Sequence, residues 1–265
     1  MPDPPLAPQR PNPELVKHVR ALMDRMDRAA RSSNDELEEA SDAATAAIVD
    51  LAQPGLVGAI RVAAGASSRR REHAAHLLSA LTDDPDALGL MASWIRDPND
   101  AIRSAIIQTI GVSELRSFAP LLAERIEHDP DPFCQDMAIH AAAALRAPEC
   151  LPTILRLADG GYQGAWRLAQ TLASYGTEAC RPYLLGWFDD GSRPHAIRLQ
   201  AAWGLGKLGN RRAIDYLIDE LDADGEAVDR LRCAQALCDI HGWEWEWHID
   251  YIGKTAERIR QTYRP

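Results

Sequence analysis

From residue 13 onward the apolar positions recur at intervals of three and four. Leu15, Val16, Val19, Leu22, Met23 and Met26 form the first such run, the spacing of one face of an α-helix. Asn12-Pro13 supplies an N-cap followed by proline at the first helical position. This predicts a helix closing near Arg31-Ser32-Ser33. The pattern then changes from a single amphipathic run to repetition. Ile197 to Asp222 reads as an Ala-rich helix, a Gly turn and a second helix with Leu and Ile at helical spacing. Leu172, Gly176, Tyr183 and Asp189 each recur 33 residues later, as Leu205, Gly209, Tyr216 and Asp222. Pro120, Pro152 and Pro182 sit at equivalent starts of second helices, and Ile249-Asp250-Tyr251 echoes Ile214-Asp215-Tyr216.

The pattern predicts about seven helix pairs, at 35–66, 69–97, 101–128, 132–158, 162–189, 194–222 and 227–262. No run reads as a strand. One pair cannot bury its own apolar face, so neighbours must stack. The expected fold is all-α, a right-handed α-solenoid. Its divisions are a Pro-rich disordered tail at 1–11, a capping helix at 12–33 and the repeat array at 34–265.

IRLQAAWGLGKLGNRRAIDYLIDEL, within 197–221, resembles the HEAT-like repeat first described in phycobilin lyases, with its Arg, Ala-Ala, Ala-Leu-Gly-x-Leu-Gly and Ala-Ile-x-x-Leu pattern. The similarity is specific over 162–222, fair over 85–160 and weak before 70. It implies an internal ladder in which an Asp ending one unit pairs with an Arg opening the next. Asp97 would then pair with Arg103, Asp190 with Arg198 and Asp224 with Arg230; Ala165 would interrupt the ladder. It also implies that second helices line a concave surface.

Aromatic residues are only 6% of the chain, and Ala and Leu dominate its apolar content, which favours packed helices over sheets. The net charge of −10 opposes binding to nucleic acid or to an anionic membrane and favours a basic partner. Five cysteines, an odd number without a CxxC pair, indicate a reducing compartment. The N-terminal residues lack a secretory pattern and no apolar run reaches membrane-spanning length. A cytoplasmic protein is expected.

Several motifs invite a chemical reading. Gly204-x-Gly206-x-x-Gly209 matches a dinucleotide fingerprint in letters, but it closes a helix instead of following a strand, so it reads as a packing turn. His73 and His76 share a helix face without an obvious third ligand. Cys233, Cys238, His241 and His248 match no zinc-finger spacing. Deoxyhypusine hydroxylase-like relatives hold iron through His-Glu pairs, and this sequence contains none. No cofactor, metal or catalytic residue is expected.

The candidate surface is aromatic and acidic. On a helical wheel, Tyr216 and Asp219 lie about 150° from the centre of the Ile214/Leu217/Ile218/Leu221 side. Tyr183, Tyr216 and Tyr251 would form a stripe on successive second helices, extended by Trp187 and bordered by Asp215, Asp219, Glu220 and Asp250. Trp243, Trp245 and Trp247, in a loop near the C-terminal end, are secondary candidates, because tryptophan is enriched at binding hot spots. The expected function is non-enzymatic: a scaffold or inhibitor engaging a basic protein partner on its concave face, in one version a bacterial immunity-type protein. The alternative is a lyase-like or ligand-binding enzyme holding a small molecule such as a tetrapyrrole.

Overall fold

The computed structural model describes residues 11–51, 53–160 and 165–263. Nearly all of the Pro-rich tail expected at 1–11 falls outside them, as does the start of the pair expected at 162. The chain divides into two compact units, Met1–Ala141 and Ala142–Pro265. Among the described residues there is no strand.

The first unit contains α1 (Pro13–Ala29), α2 (Asn34–Asp50), α3 (Leu56–Ala64), α4 (Ser68–Leu78), α5 (Pro85–Trp94), α6 (Asp100–Val112) and α7 (Ala119–His128). The unit boundary falls within α8 (Pro132–Leu145). The second unit continues with α9 (Leu151–Asp159), α10 (Ala165–Tyr175), α11 (Arg181–Asp189), α12 (His195–Lys207), α13 (Arg211–Asp222), α14 (Ala227–His241) and α15 (Asp250–Tyr263). From α2 onward the helices alternate between first and second members of a pair. The bounds follow the sequence-predicted pairs closely. In the first unit α2 packs on α4 and α4 on α6, while α3 packs on α5. In the second, α12 lies between α10 and α14, and α13 packs on α15. Helix α1 packs against α2 and α3.

Local chemistry sets the helix ends. The Asn12 side chain accepts from the Glu14 N–H at 2.9 Å, and Pro13 follows it. Ser33, Asn99 and Asn210 cap α2, α6 and α13 through their side-chain oxygens. Such caps each contribute about 1 kcal/mol. Gly176 and Gly209, matched by the repeat, end α10 and α12 with φ of 55° and 74°, a backbone conformation that glycine adopts without steric cost.

The glycines inside α12 serve helix packing. A Cβ on Gly204 would lie 2.8 Å from the Ala173 Cα of α10 and 2.7 Å from Leu184 Cδ1 of α11. One on Gly206 would meet the end of the Ile240 side chain on α14. The small residues thus let three first helices approach closely, which is what the turn reading of this string expects.

The ladder differs from the pattern implied by the resemblance. Arg103 does not pair with the Asp97 carboxylate. It forms a bidentate pair with Asp129, with Nε to Oδ2 at 3.0 Å and Nη2 to Oδ1 at 2.8 Å. The two side chains are 4% and 0% exposed. The remaining arm of Arg103 donates to the Asp97 and Pro98 carbonyls at 2.9 and 3.2 Å. The Asp97 carboxylate belongs to Arg71. In the second unit Arg198 donates to the Phe188 carbonyl and Arg230 to the Leu221 carbonyl, while Asp190 holds Ser192 and Arg193. Arg198 and Arg230 therefore satisfy carbonyls in the last turn of the preceding second helix, where a cation also complements the helix dipole, and Arg103 satisfies those of the connection that follows α5.

Candidate partner-binding surface

Every sequence-predicted site residue lies in the second unit, on α11, α13, α15 or the segment joining α14 to α15. The structure divides them into packing residues and surface residues.

Tyr216 belongs mainly to packing. Its ring meets Phe188 of α11 edge-on, with centroids 5.2 Å apart, and the Arg198 guanidinium lies 5.3 Å from its centroid. The hydroxyl oxygen is buried and has no hydrogen-bond partner. Burial, and secondarily the nearby Glu220 carboxylate, push the phenol up to about 12. Glu220 thus acts on its charge without accepting a well-formed hydrogen bond. Trp187 is 7% exposed and carries the Arg193 guanidinium 5.7 Å from its ring. The open stripe expected through Tyr216 and Trp187 is corrected accordingly. Pointing away from the core of its own pair brings a side chain against the neighbouring second helix. Tyr183 shows the same lean, donating from its hydroxyl to Asp159 Oδ2 at 3.1 Å, at the end of α9. It remains half-buried, as does Tyr251, whose ring lies 4.5 Å from Lys254 Nζ.

The carboxylates are more open. Asp215 pairs with Arg211 at 2.8 Å within α13. Glu220 faces His195 Nε2 at 3.1 Å, and Asp229 faces Nδ1 of the same ring at 3.1 Å. Asp250 lies 3.3 Å from His248 Nδ1. Asp219, Asp224 and Glu226 are exposed and form no ion pair among the described residues. Asp224 and Glu226 were not among the sequence candidates as binding residues. The signal was nevertheless present: residues 213–229 contain seven carboxylates and no lysine or arginine.

The Trp segment is a non-helical connection between α14 and α15, the loop that the sequence indicates. Trp243 stacks on His241 at 4.5 Å and lies under Arg258 at 5.6 Å. Trp245 and Trp247 pack edge-to-face on each other at 5.8 Å. Trp247 is 56% exposed and Ile249 is 54% exposed.

The candidate metal ligands do not converge. His73 Nε2 meets Asp27 Oδ1 of α1 at 3.1 Å, and burial lowers the His76 pKa. Cys238 Sγ lies 3.4 Å from Thr255 Oγ1, whereas His241 Nε2 faces the Tyr263 hydroxyl at 3.1 Å. Among the described residues no group of three His, Cys, Asp or Glu side chains is arranged to hold a metal ion. No helix there is long and apolar enough to cross a membrane.

A family model described as HEAT repeats matches residues 56–143 and 151–238. Among solved structures, the complex of CpcE and CpcF of phycocyanin lyase from Nostoc sp. PCC7120 is similar at 16% identity, covering 98% of this chain and 97% of that chain with a TM-score of 0.48. Human deoxyhypusine hydroxylase in complex with glycerol is similar at 17% identity, covering 86% of this chain and 97% of that chain with a TM-score of 0.32. No curated protein matches the sequence.

Proposed function

The chain belongs to the HEAT repeat family, and on that premise we propose that it is a non-enzymatic scaffold or inhibitor that binds a basic protein partner. The observation that carries this reading is the acidic run along α13 and the α13–α14 connection. From Ala213 to Asp229 the chain has seven carboxylates and no lysine or arginine, and Asp219, Asp224 and Glu226 are exposed without an ion pair among the described residues. A field of one sign steers an oppositely charged partner and repels wrong ones. It contributes more to association rate and specificity than to the energy of the final contact.

The working surface in this reading comprises α13, the α13–α14 connection and the Trp243–Trp247 segment, with Tyr183, Tyr251, Asp215, Glu220 and Asp250 around it. Trp187 and Tyr216 support that surface from beneath. Helix α1 caps the array, with Asp24 and Asp27 tied to Arg70 and Arg69 of α4 at 2.7 and 2.8 Å. A cytoplasmic setting suits five buried cysteines with none bonded to another.

The test is affinity capture from an extract of the source cells, comparing the full chain with its Asp219→Asn/Asp224→Asn/Glu226→Gln variant. The wild type should retain a basic protein that the variant loses, and raised salt should release it. An identical set of captured proteins with both baits would refute the reading.

A further inference from the structure

The second unit contains six tryptophans among its described residues, and four of them already have a cation at the ring. Arg232 lies 5.9 Å from the Trp166 centroid, Arg193 5.7 Å from Trp187, Lys207 5.2 Å from Trp203 and Arg258 5.6 Å from Trp243. Trp245 and Trp247 have none among the described residues. They meet each other instead, with centroids 5.8 Å apart and planes at 78°. Two nearly perpendicular indoles form a corner bounded by two negative π-faces. One wall of that corner, Trp247, is 56% exposed, and the exposed Ile249 follows it two residues later.

The surrounding charge has the sign that a cation requires. Glu244 and Glu246 are exposed, and neither makes an ion pair among the described residues. Asp250 stands at the start of α15, beside His248. From Trp243 to Glu246 the segment has no regular secondary structure, and burial alternates along it: Trp243 and Trp245 are half-buried, Glu244 and Glu246 exposed. The tryptophans can therefore offer their faces while the glutamates supply the field around them. The alternating Trp-Glu string combines these two functions in one short segment.

We propose that the Trp245–Trp247 corner receives an arginine side chain presented by the partner protein. Resting on the reading of a basic partner, this assigns the contact that anchors it. A guanidinium fits better than an ammonium. It is planar, more weakly hydrated, and stacks on indole faces while its N–H groups remain free for carboxylates. Inside this unit the chain makes the same choice, since arginine covers three of the four occupied tryptophans. The fourth is covered by a lysine of its own helix, Lys207.

The probes are hexa-arginine and hexa-lysine peptides, titrated against the full chain and followed by tryptophan fluorescence and calorimetry. Hexa-arginine should bind more tightly than hexa-lysine at equal salt. Trp247→Ala should weaken hexa-arginine by about tenfold, the size of one aromatic anchor, and hexa-lysine much less. Trp247→Phe should recover most of the loss, because it restores an aromatic face. Helical circular dichroism and the melting temperature of each variant should match wild type, since Trp247 is mostly exposed. Equal binding of both peptides, or hexa-arginine binding indifferent to Trp247→Ala, would overturn the arginine corner. If such binding is still lost in the Asp219→Asn/Asp224→Asn/Glu226→Gln variant, the basic-partner reading survives that failure. No binding of either polycation would count against both.

Discussion

Replacing Tyr216 with alanine should destabilise the second unit, and replacing it with phenylalanine should not. The tyrosine ring meets Phe188 edge-on at 5.2 Å and lies under the Arg198 guanidinium at 5.3 Å. An edge-to-face aromatic pair contributes about 0.5–1.5 kcal/mol, and a partly exposed cation–π contact about 0.5–1 kcal/mol. Adding the lost ring burial, and allowing for partial exposure, Tyr216→Ala should cost about 2–3 kcal/mol, somewhat below the usual range for deleting a core aromatic. At about 2–4 °C per kcal/mol for a chain of this size, the melting temperature should fall by about 5–10 °C. The hydroxyl makes the opposite prediction. It is buried without a hydrogen-bond partner, and deleting such a group is neutral or favourable by up to about 1 kcal/mol. Tyr216→Phe should therefore melt at or slightly above the wild-type temperature. Urea titrations of the three proteins, followed by circular dichroism, decide the matter. An unperturbed Tyr216→Ala would return the ring to the open surface that the helical wheel alone suggests. A Tyr216→Phe variant as unstable as Tyr216→Ala would mean that the hydroxyl, not the ring, holds the helices together.

Other consequences follow from the same geometry. Arg103→Ala removes the two hydrogen bonds that Arg103 makes to the buried Asp129 carboxylate and leaves it the Asp131 N–H at 3.0 Å and Arg125 at 3.6 Å; unfolding by urea should show a loss of about 3–5 kcal/mol, as for other broken buried pairs. Gly204→Ala should cost about 1–3 kcal/mol, because its Cβ meets the backbone of Ala173. Gly206→Ala should cost less, because its Cβ meets side-chain atoms of Ile240 and Ile214 and no backbone, and equal losses in the two variants would contradict this packing. Stability should decline on the alkaline side from about pH 9. Burial raises the Cys134 and Cys233 thiols from 9.0 to about 12 and Tyr216 from 10.0 to about 12. The unfolded chain loses these protons first and is then favoured. It should also decline as pH falls below 6.5, because burial lowers His76 and His241 and the unfolded chain takes up those protons first. Urea midpoints across pH that stayed flat in both ranges would refute these assignments.

The helix pairs were legible because their signals are local. Apolar spacing, the Asn12 cap and the recurring Gly176 and Gly209 all act within a few residues, and the structure uses them as the sequence indicates. The side-chain partners were less legible because they depend on adjacent pairs. Arg103 could be assigned to a ladder from its position, but whether it held the Asp before it or the one after it required the stack. Tyr216 and Trp187 show the same limit. A wheel reports the direction relative to one helix core, and in stacked pairs the opposite flank faces another helix. The acidic run from Asp215 to Asp229 could be read directly from the chain. Which of its members remain unpaired could not, since Glu220 and Asp229 meet through His195, which lies 25 residues before the first and 34 before the second. For the Trp243–Trp247 segment the sequence indicated a loop between two helices. It did not show that Trp243 has a stacking partner and a cation while Trp247 remains open.

The central claim, a basic partner drawn to the acidic face of the second unit, is tested most directly by association kinetics. The partner identified by capture would be mixed with the full chain and with the Asp219→Asn/Asp224→Asn/Glu226→Gln variant from about 50 to about 500 mM salt, a range over which the screening length shortens severalfold. The wild-type association rate should fall steeply as salt rises, and the variant should start slower and show a flatter dependence. A wild-type association rate indifferent to salt, or superimposable curves for the two proteins, would contradict the account.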